Sequence, residues 1–158
     1  DQIAFRRRSE NAAIAPSTRV VLGDSMGEMF AYFAASDVAF IGGSLLPLGG
    51  QNLIEACAVG TRVLIGPHTF NFAEATDQAI TCGAAKRVAG ASELAQEIDQ
   101  LLANPAQRKS MAAAGLAFTA AHRGASARAY ERVSSLLARP GPSFRLRFFC
   151  RSYPRLFR

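Results

Sequence analysis

The feature that most constrains this chain is an alternation. Short, largely apolar runs, "RVVLG" (19–23), "DVAFIGG" (37–43) and "RVLIG" (62–66), and a weaker strand, "AKRVA" (85–89), are separated by segments of helical periodicity. A strand with one wet face alternates apolar and polar residues; strands apolar along their whole length are covered on both faces, as in a parallel sheet joined by helical crossovers. The segments between supply the helices. "GEMFAYFAAS" puts Met29, Tyr32, Phe33 and Ser36 at helical spacing, "QNLIEACAVG" ends at Gly60, and "NFAEATDQAITCG" ends at Gly83. The predicted fold class is therefore α/β, a parallel sheet with flanking helices, and the strand at 19–23 is expected to be buried with the others.

From Ser92 the pattern turns helical. In "SELAQEIDQLLANP", Ser92 is the predicted N-cap, Glu93 lies in the first turn, Leu94, Ile98, Leu101 and Leu102 share one face, and Pro105 closes the segment. "AQRKSMAAAGLAFTAAH" and "ASARAYERVSSLLARP" follow as two further helices. A length of 158 residues with 49% hydrophobic content suits one domain with a single core. No window approaches the roughly 18 to 20 apolar residues needed to span a bilayer, and the start "DQIAFRRRSE" has neither an initiator Met nor a signal-peptide apolar region. The chain reads as a soluble piece that starts partway through a longer protein.

The net charge of +6 is local rather than general. Arg139, Arg145, Arg147, Arg151, Arg155 and Arg158 fall in the last twenty residues, with no acid among them, and the other twelve basic residues balance the twelve acidic ones. The body is neutral. In the tail, 139–158, arginine alternates with Phe, Leu and Tyr, a composition that binds anionic lipid or RNA by combined charge and apolar contact, or that belongs to an unstructured or non-native terminus. The three cysteines, Cys57, Cys82 and Cys150, are odd in number, widely spaced and accompanied only by His68 and His122, so neither a disulfide framework nor a zinc site is expected. A reducing compartment fits, and Cys57 reads as a packed thiol on the apolar side of its helix.

In open parallel sheets ligands bind at the carboxyl ends of the strands, which makes "GDSMGE", "GGSLLPLGGQN" and "GPHTFNF" the candidate loops. The second carries Gly42, Gly43, Gly49 and Gly50 with Pro47 in nine residues and runs straight into a helix. Two readings stand for it. It is an ordinary turn, or it is a seat for a phosphate, with glycines permitting close backbone approach, Ser44 adding a hydroxyl donor and the helix N-terminus adding unpaired N–H groups. Neither a Walker A sequence nor a GxGxxG fingerprint is present. Asn52 and Glu55, three apart on one helix face, are either a cap with a first-turn acid or a pair able to hold a ribose diol. Glu28, after Asp24 and Ser25, carries the same ambiguity, and Met26 and Gly27 present backbone groups to a flat base in the second reading. His68, Phe70 and Phe72 read as loop-packing residues, and no Ser/His/Asp or Cys/His arrangement is visible.

Taken together, "GDSMGEM", "DVAFIGGSL" and "GGQNLIEACAVGTRVLIGPHTFNF" resemble the C-terminal half of the 3-deoxy-D-manno-octulosonic acid (Kdo) transferases, over about Phe5 to Leu137. The resemblance implies a Rossmann-like domain, the C-terminal domain of a two-domain GT-B glycosyltransferase, that binds the donor CMP-Kdo. It places Met26, Gly27 and Glu28 in one CMP-contacting element and Asn52, Leu53, Ile54 and Glu55 in another, with Gly43, Ser44, Gly49 and Gly50 beside the sugar and phosphate. It also implies inverting transfer to a lipid A precursor in lipopolysaccharide synthesis at the cytoplasmic face of the inner membrane. The general base and the acceptor site are expected in an N-terminal half outside this chain, with no cofactor, no metal and no nucleic-acid partner. One departure is Gln51, where many members carry His.

Overall fold

The structure, a computed structural model, describes residues 3–137. They fall into two compact units, the first ending at Arg123 and the second beginning at Gly124. In the first, five strands (β1 Phe5–Arg7, β2 Val20–Leu22, β3 Val38–Ile41, β4 Arg62–Ile65, β5 Ala85–Arg87) interleave with five helices (α1 Met29–Ala34, α2 Ile54–Ala58, α3 Ala73–Thr81, α4 Ala91–Ala103, α5 Pro105–Ala121). Every strand pair is parallel. Val38 lies opposite Arg62, Val63 opposite Ala85 and Phe5 opposite Val20, in two separate ladders, β3-β4-β5 and β1-β2. The second unit contributes helix α6, Ala125–Leu137. The arginine-rich stretch 139–158 lies outside the described residues.

The β3-β4-β5 sheet behaves as its composition predicts. Its pleat sends Ala39, Ile41, Val63, Ile65 and Ala85 to one face, where they pack with Cys57 of α2, Ala79 of α3 and Phe118 of α5. Leu64 goes to the other, with Val38, Phe40, Leu101 of α4 and Met111 of α5. Val63, Leu64 and Ile65 are fully buried, each contributing about 1.5–3 kcal/mol of transfer free energy. Both faces are covered, which is why these strands need no polar alternation. Gly115 lets α5 approach α2 closely, since a Cβ there would stand 3.2 Å from the Cys57 carbonyl oxygen.

The first ladder corrects one expectation. Val20, Val21 and Leu22 are 46%, 45% and 47% exposed, not buried. The physical reason is that β2 pairs only with β1, itself exposed along its length, and no layer among the described residues covers either strand. The strand β1 had no counterpart in the sequence reading.

Helix ends also differ in instructive ways. Helix α4 is capped by Gly90 rather than Ser92, which sits inside the first turn; the upstream amide of Ala89 donates to Glu93 Oε2 at 2.7 Å. Pro105 follows the end of α4 and also opens α5 at its first position, where Asn104 Oδ1 accepts from the Gln107 amide at 3.0 Å. Gly60 and Gly83 end α2 and α3 as expected, both in the left-handed region, with Thr61 N–H returning to Ala56 O and Ala84 N–H to Ala79 O. Helix α1 begins just past the carboxyl end of β2, and near its own end the Phe33 carbonyl accepts from Thr61 Oγ1, at the entry to β4, at 2.6 Å. It therefore runs back from the carboxyl edge to the amino edge. The carboxyl ends of β2, β3 and β4 consequently share one edge.

Candidate functional site

The glycine-rich turn from Gly42 to Gly50 is closed by its own backbone: Gly50 N–H donates to Gly43 O at 3.1 Å and Gln51 N–H to Gly42 O at 3.2 Å. Ser44 is fully buried. Its hydroxyl donates to Ile41 O at 2.5 Å and accepts from the Gly66 amide at 2.8 Å, and its carbonyl accepts from the His68 amide at 2.9 Å. The residue predicted as a hydroxyl donor for a ligand thus stitches the β3 loop to the β4 loop. A Cβ at Gly66 would lie 2.3 Å from the Ser44 carbonyl oxygen, so the two backbones touch.

The glycines divide by role. Gly49 and Gly50 are buried with left-handed backbones, and a side chain on Gly49 would strike the Asn71 amide at 2.4 Å and the Phe70 ring at 2.6 Å. Close approach by a ligand is closed at these two. Gly42 is exposed, and nothing stands within 4 Å of where its Cβ would be. Open approach to this turn is therefore at its entry, where β3 ends.

Asn52 and Glu55 come together as predicted. Asn52 Oδ1 accepts from the amide of Ile54, the first residue of α2, at 2.9 Å, while its Nδ2 donates to Glu55 Oε1 at 3.1 Å. The cap position itself is taken by Leu53, with Asn52 one residue before it, and Glu55 keeps one carboxylate oxygen outside this pair. Between them, Leu53 is fully buried and Ile54 is 38% exposed. With Gly50, Gln51 and Ile54 amides already paired, the α2 start offers fewer free donors than its sequence promises.

Met26, Gly27 and Glu28 form a second cluster on the loop after β2. Met26 is 98% exposed. Glu28 accepts from Arg8 Nη2 at 2.9 Å on one oxygen, and from the Ser25 hydroxyl and Tyr32 Oη, at 3.1 Å, on the other. The Ser25 hydroxyl first, then Tyr32 and Arg8, hold this carboxyl below its ordinary value of 4.5. Asp24 is likewise lowered from 3.8, first by the Ser9 hydroxyl at 2.7 Å and then by the Ser9 amide at 2.9 Å. Among the described residues no hydrogen bond joins this cluster to the Asn52–Glu55 pair.

Sequence reasoning missed the residues that hold the third loop. Arg87, at the carboxyl end of β5, donates through Nη1 to Gly66 O (3.1 Å), Pro67 O (3.2 Å) and Thr69 Oγ1 (3.4 Å), and through Nη2 to Asp77 at 3.1 Å. Asn71 Nδ2 donates to Leu48 O and Gly50 O at 3.3 and 3.4 Å, and the Asn71 backbone amide donates to Gly49 O at 3.2 Å. A basic residue ending a strand was the available signal for Arg87; an Asn among aromatics was a weak one for Asn71. Phe72 packs on the core as expected, but Phe70 is 65% exposed beside Gly49. A cavity of about 260 Å³ opens nearby, touching the constellation only at Ile54, with Glu74, Gln78 and His122 on its wall. No group of three or more His, Cys, Asp or Glu among the described residues is placed to hold a metal ion.

This arrangement, parallel strands whose carboxyl-end loops carry a glycine turn and an Asn-x-x-Glu helix start, defines an α/β domain of the Rossmann-like class. No family model matches the chain. Known proteins narrow the class. The chain is 50% identical over 136 residues, 85% of its length, to the 3-deoxy-D-manno-octulosonic acid transferase of Bordetella pertussis. It is 35% identical over 140 residues to that of Haemophilus influenzae. It spans about a third of each, 32% and 33%. Among solved structures it matches the C-terminal CMP-Kdo binding domain of WaaA from Acinetobacter baumannii at 33% identity with a TM-score of 0.70, over 73% of this chain and 61% of that one. In sequence and fold the chain thus matches the part of the Kdo transferases that forms this C-terminal domain.

Proposed function

We propose that this chain is the donor-binding domain of a Kdo transferase and holds CMP-Kdo at the carboxyl edge of its sheet. The observation that carries the proposal is the likeness, in both sequence and fold, to a solved domain described as binding CMP-Kdo. Met26, Gly27 and Glu28 sit at one side of the nucleotide and Asn52 to Glu55 at the other, where the Glu55 carboxylate accepts from ribose hydroxyls. Gly42 and Gly43 give the donor its close backbone approach. Ser44, Gly49 and Gly50, being buried, keep the turn in shape instead of touching the ligand.

In the longer protein the transfer is inverting. A general base outside this chain deprotonates an acceptor hydroxyl on a lipid A precursor, the hydroxyl oxygen attacks the anomeric carbon of Kdo, and CMP leaves with the electron pair of the broken bond. The work of this domain is to orient the donor and stabilise charge on the departing phosphate. Its place is the cytoplasmic face of the inner membrane, where such an acceptor presents its headgroup. Alone, the chain binds donor without turnover.

Calorimetric titration with CMP, UMP and AMP tests the reading. A preference for CMP of tenfold or more is expected; equal affinities for the three would remove it.

A further inference from the structure

The loop that carries Met26, Gly27 and Glu28 is not held by burial. From Gly23 to Ala34 no residue is buried, and neither is any residue of the short 3-10 turn Arg8–Glu10 that follows β1. Two carboxylates join these exposed segments instead. Asp24 accepts from the Ser9 amide at 2.9 Å and the Ser9 hydroxyl at 2.7 Å, and Glu28 accepts from Arg8 Nη2 at 2.9 Å. Arg8 is itself fixed, because its Nη1 donates to Asn11 Oδ1 at 2.5 Å while the Asn11 amide returns to Arg8 O at 3.1 Å. Beyond this clamp the tip stands clear: Met26 is 98% exposed, and Gly27, left-handed at φ 83°, has nothing within 4 Å of where its Cβ would be.

The acceptor capacity of Glu28 decides what a ligand can meet there. A carboxylate has about four lone-pair sites, divided between its two oxygens. Oε2 takes both the Ser25 hydroxyl and Tyr32 Oη and is filled, whereas Oε1 takes Arg8 alone. The open acceptor site of this carboxylate therefore lies on the oxygen that Arg8 holds. We propose that Arg8 is a positioning residue for the nucleotide: it aims Glu28 Oε1 and keeps the Met26–Gly27 tip in one place, so that the ligand meets a tip already ordered. Given the reading of this domain as a CMP-Kdo binder, on which this inference rests, Arg8 extends that site to a residue twenty positions upstream of Glu28. Exposure separates this role from a plain contribution to stability. With 42% of the Arg8 side chain and 33% of the Glu28 side chain exposed, the pair adds little to the folding free energy, whereas ordering a loop before a ligand arrives removes an entropy cost from binding. Loss of Arg8 is therefore felt in affinity and not in the unfolding midpoint.

The test compares the full chain with Arg8→Ala, Arg8→Lys, Glu28→Ala and the double variant Arg8→Ala/Glu28→Ala, by amide-nitrogen NMR relaxation without ligand and by calorimetric titration with CMP, UMP and AMP. Backbone order parameters at Met26 and Gly27 of about 0.85 are expected in the wild type and in Arg8→Lys, whose ammonium still reaches Oε1, and values below about 0.6 in Arg8→Ala. CMP affinity is expected to fall about tenfold in Arg8→Ala at the wild-type urea midpoint, to stay within about threefold in Arg8→Lys, and to be no weaker in the double variant than in Glu28→Ala, because Arg8 acts through that carboxylate. Order at the tip that survives Arg8→Ala overturns the proposal, and so does a double variant in which the two losses add. Equal wild-type affinity for the three nucleotides removes the CMP reading and overturns the nucleotide role of Arg8; the order parameters, taken without ligand, tell that failure from a failure of the clamp.

Discussion

Replacing Ser44 by Ala separates two roles that its position in the glycine turn allows. The hydroxyl joins Ile41 O and the Gly66 amide, at 2.5 and 2.8 Å, inside a fully buried residue. The alanine side chain leaves the Gly66 N–H without an acceptor and Ile41 O without this donor, and water has no access to replace it. A buried polar group left unpaired costs about 1–3 kcal/mol, the carbonyl falling at the low end because it has a second lone pair. The expected loss is therefore about 2–4 kcal/mol, which lowers a urea midpoint by roughly 1–2 M at the slope usual for a domain of this size. Urea unfolding followed by circular dichroism measures it, and calorimetric titration with CMP on the folded variant measures the ligand side. Affinity within about threefold of wild type, less than 1 kcal/mol, is expected, since the hydroxyl points into the loop junction. A midpoint within about 0.2 M of wild type, together with a tenfold or greater loss of CMP affinity, would refute the reasoning and turn the hydroxyl toward the ligand.

Other expectations follow from the same geometry. Glu55→Ala should weaken CMP binding by about 1.5–3 kcal/mol, read by calorimetry, because it deletes an ionised acceptor while Asn52 still accepts from the Ile54 amide; unchanged affinity would return Glu55 to a helix-terminus role. Arg87→Ala should loosen the 66–69 loop, seen as faster amide exchange there with β4 exchange unchanged, and Arg87→Lys should restore only part of it because one ammonium cannot reach all three oxygens. Iodoacetamide at pH 8 should label exposed Cys82 and spare Cys57, whose thiol is buried and pushed up to about 11, until denaturant is added; mass spectrometry of the two peptides decides. Asp24 and Glu28 have lowered values in the folded state, so their contribution is present above their ordinary values of 3.8 and 4.5 and is lost as pH falls through the lowered ones. The Ser9 amide proton shift should accordingly stay constant from pH 7 to 5 and move only below 3.8.

The sequence by itself determined the α/β class and the identity of β3 and β4, because strands buried on both faces are apolar along most of their length; β5, which carries Lys86 and Arg87, read only as a weak strand. It also determined where α2 and α3 stop, since Gly60 and Gly83 take backbone conformations that other residues adopt at a cost. The pairing of Asn52 with Glu55 was legible too, because a three-residue spacing on a helix is a distance in space. The resemblance carried by the loop motifs named the family before any fold was visible.

Other features were decided only by the tertiary structure. The strand β1 was hidden because "FRRR" reads as a solvated charge run, and its pairing with β2 depends on backbone hydrogen bonds that composition does not encode. The same apolar run that made β2 look buried leaves it exposed, because burial depends on what covers a strand. Ser44, Gly49 and Gly50 looked available to a ligand along the chain, yet the loops of β3 and β4 fold onto one another and consume them. Arg87 and Asn71, distant in sequence from that turn, hold it and its neighbour in place through contacts of long sequence separation. Local spacing can show which residues share a helix face; which donors and acceptors remain free for a ligand is settled only after neighbouring loops have taken theirs.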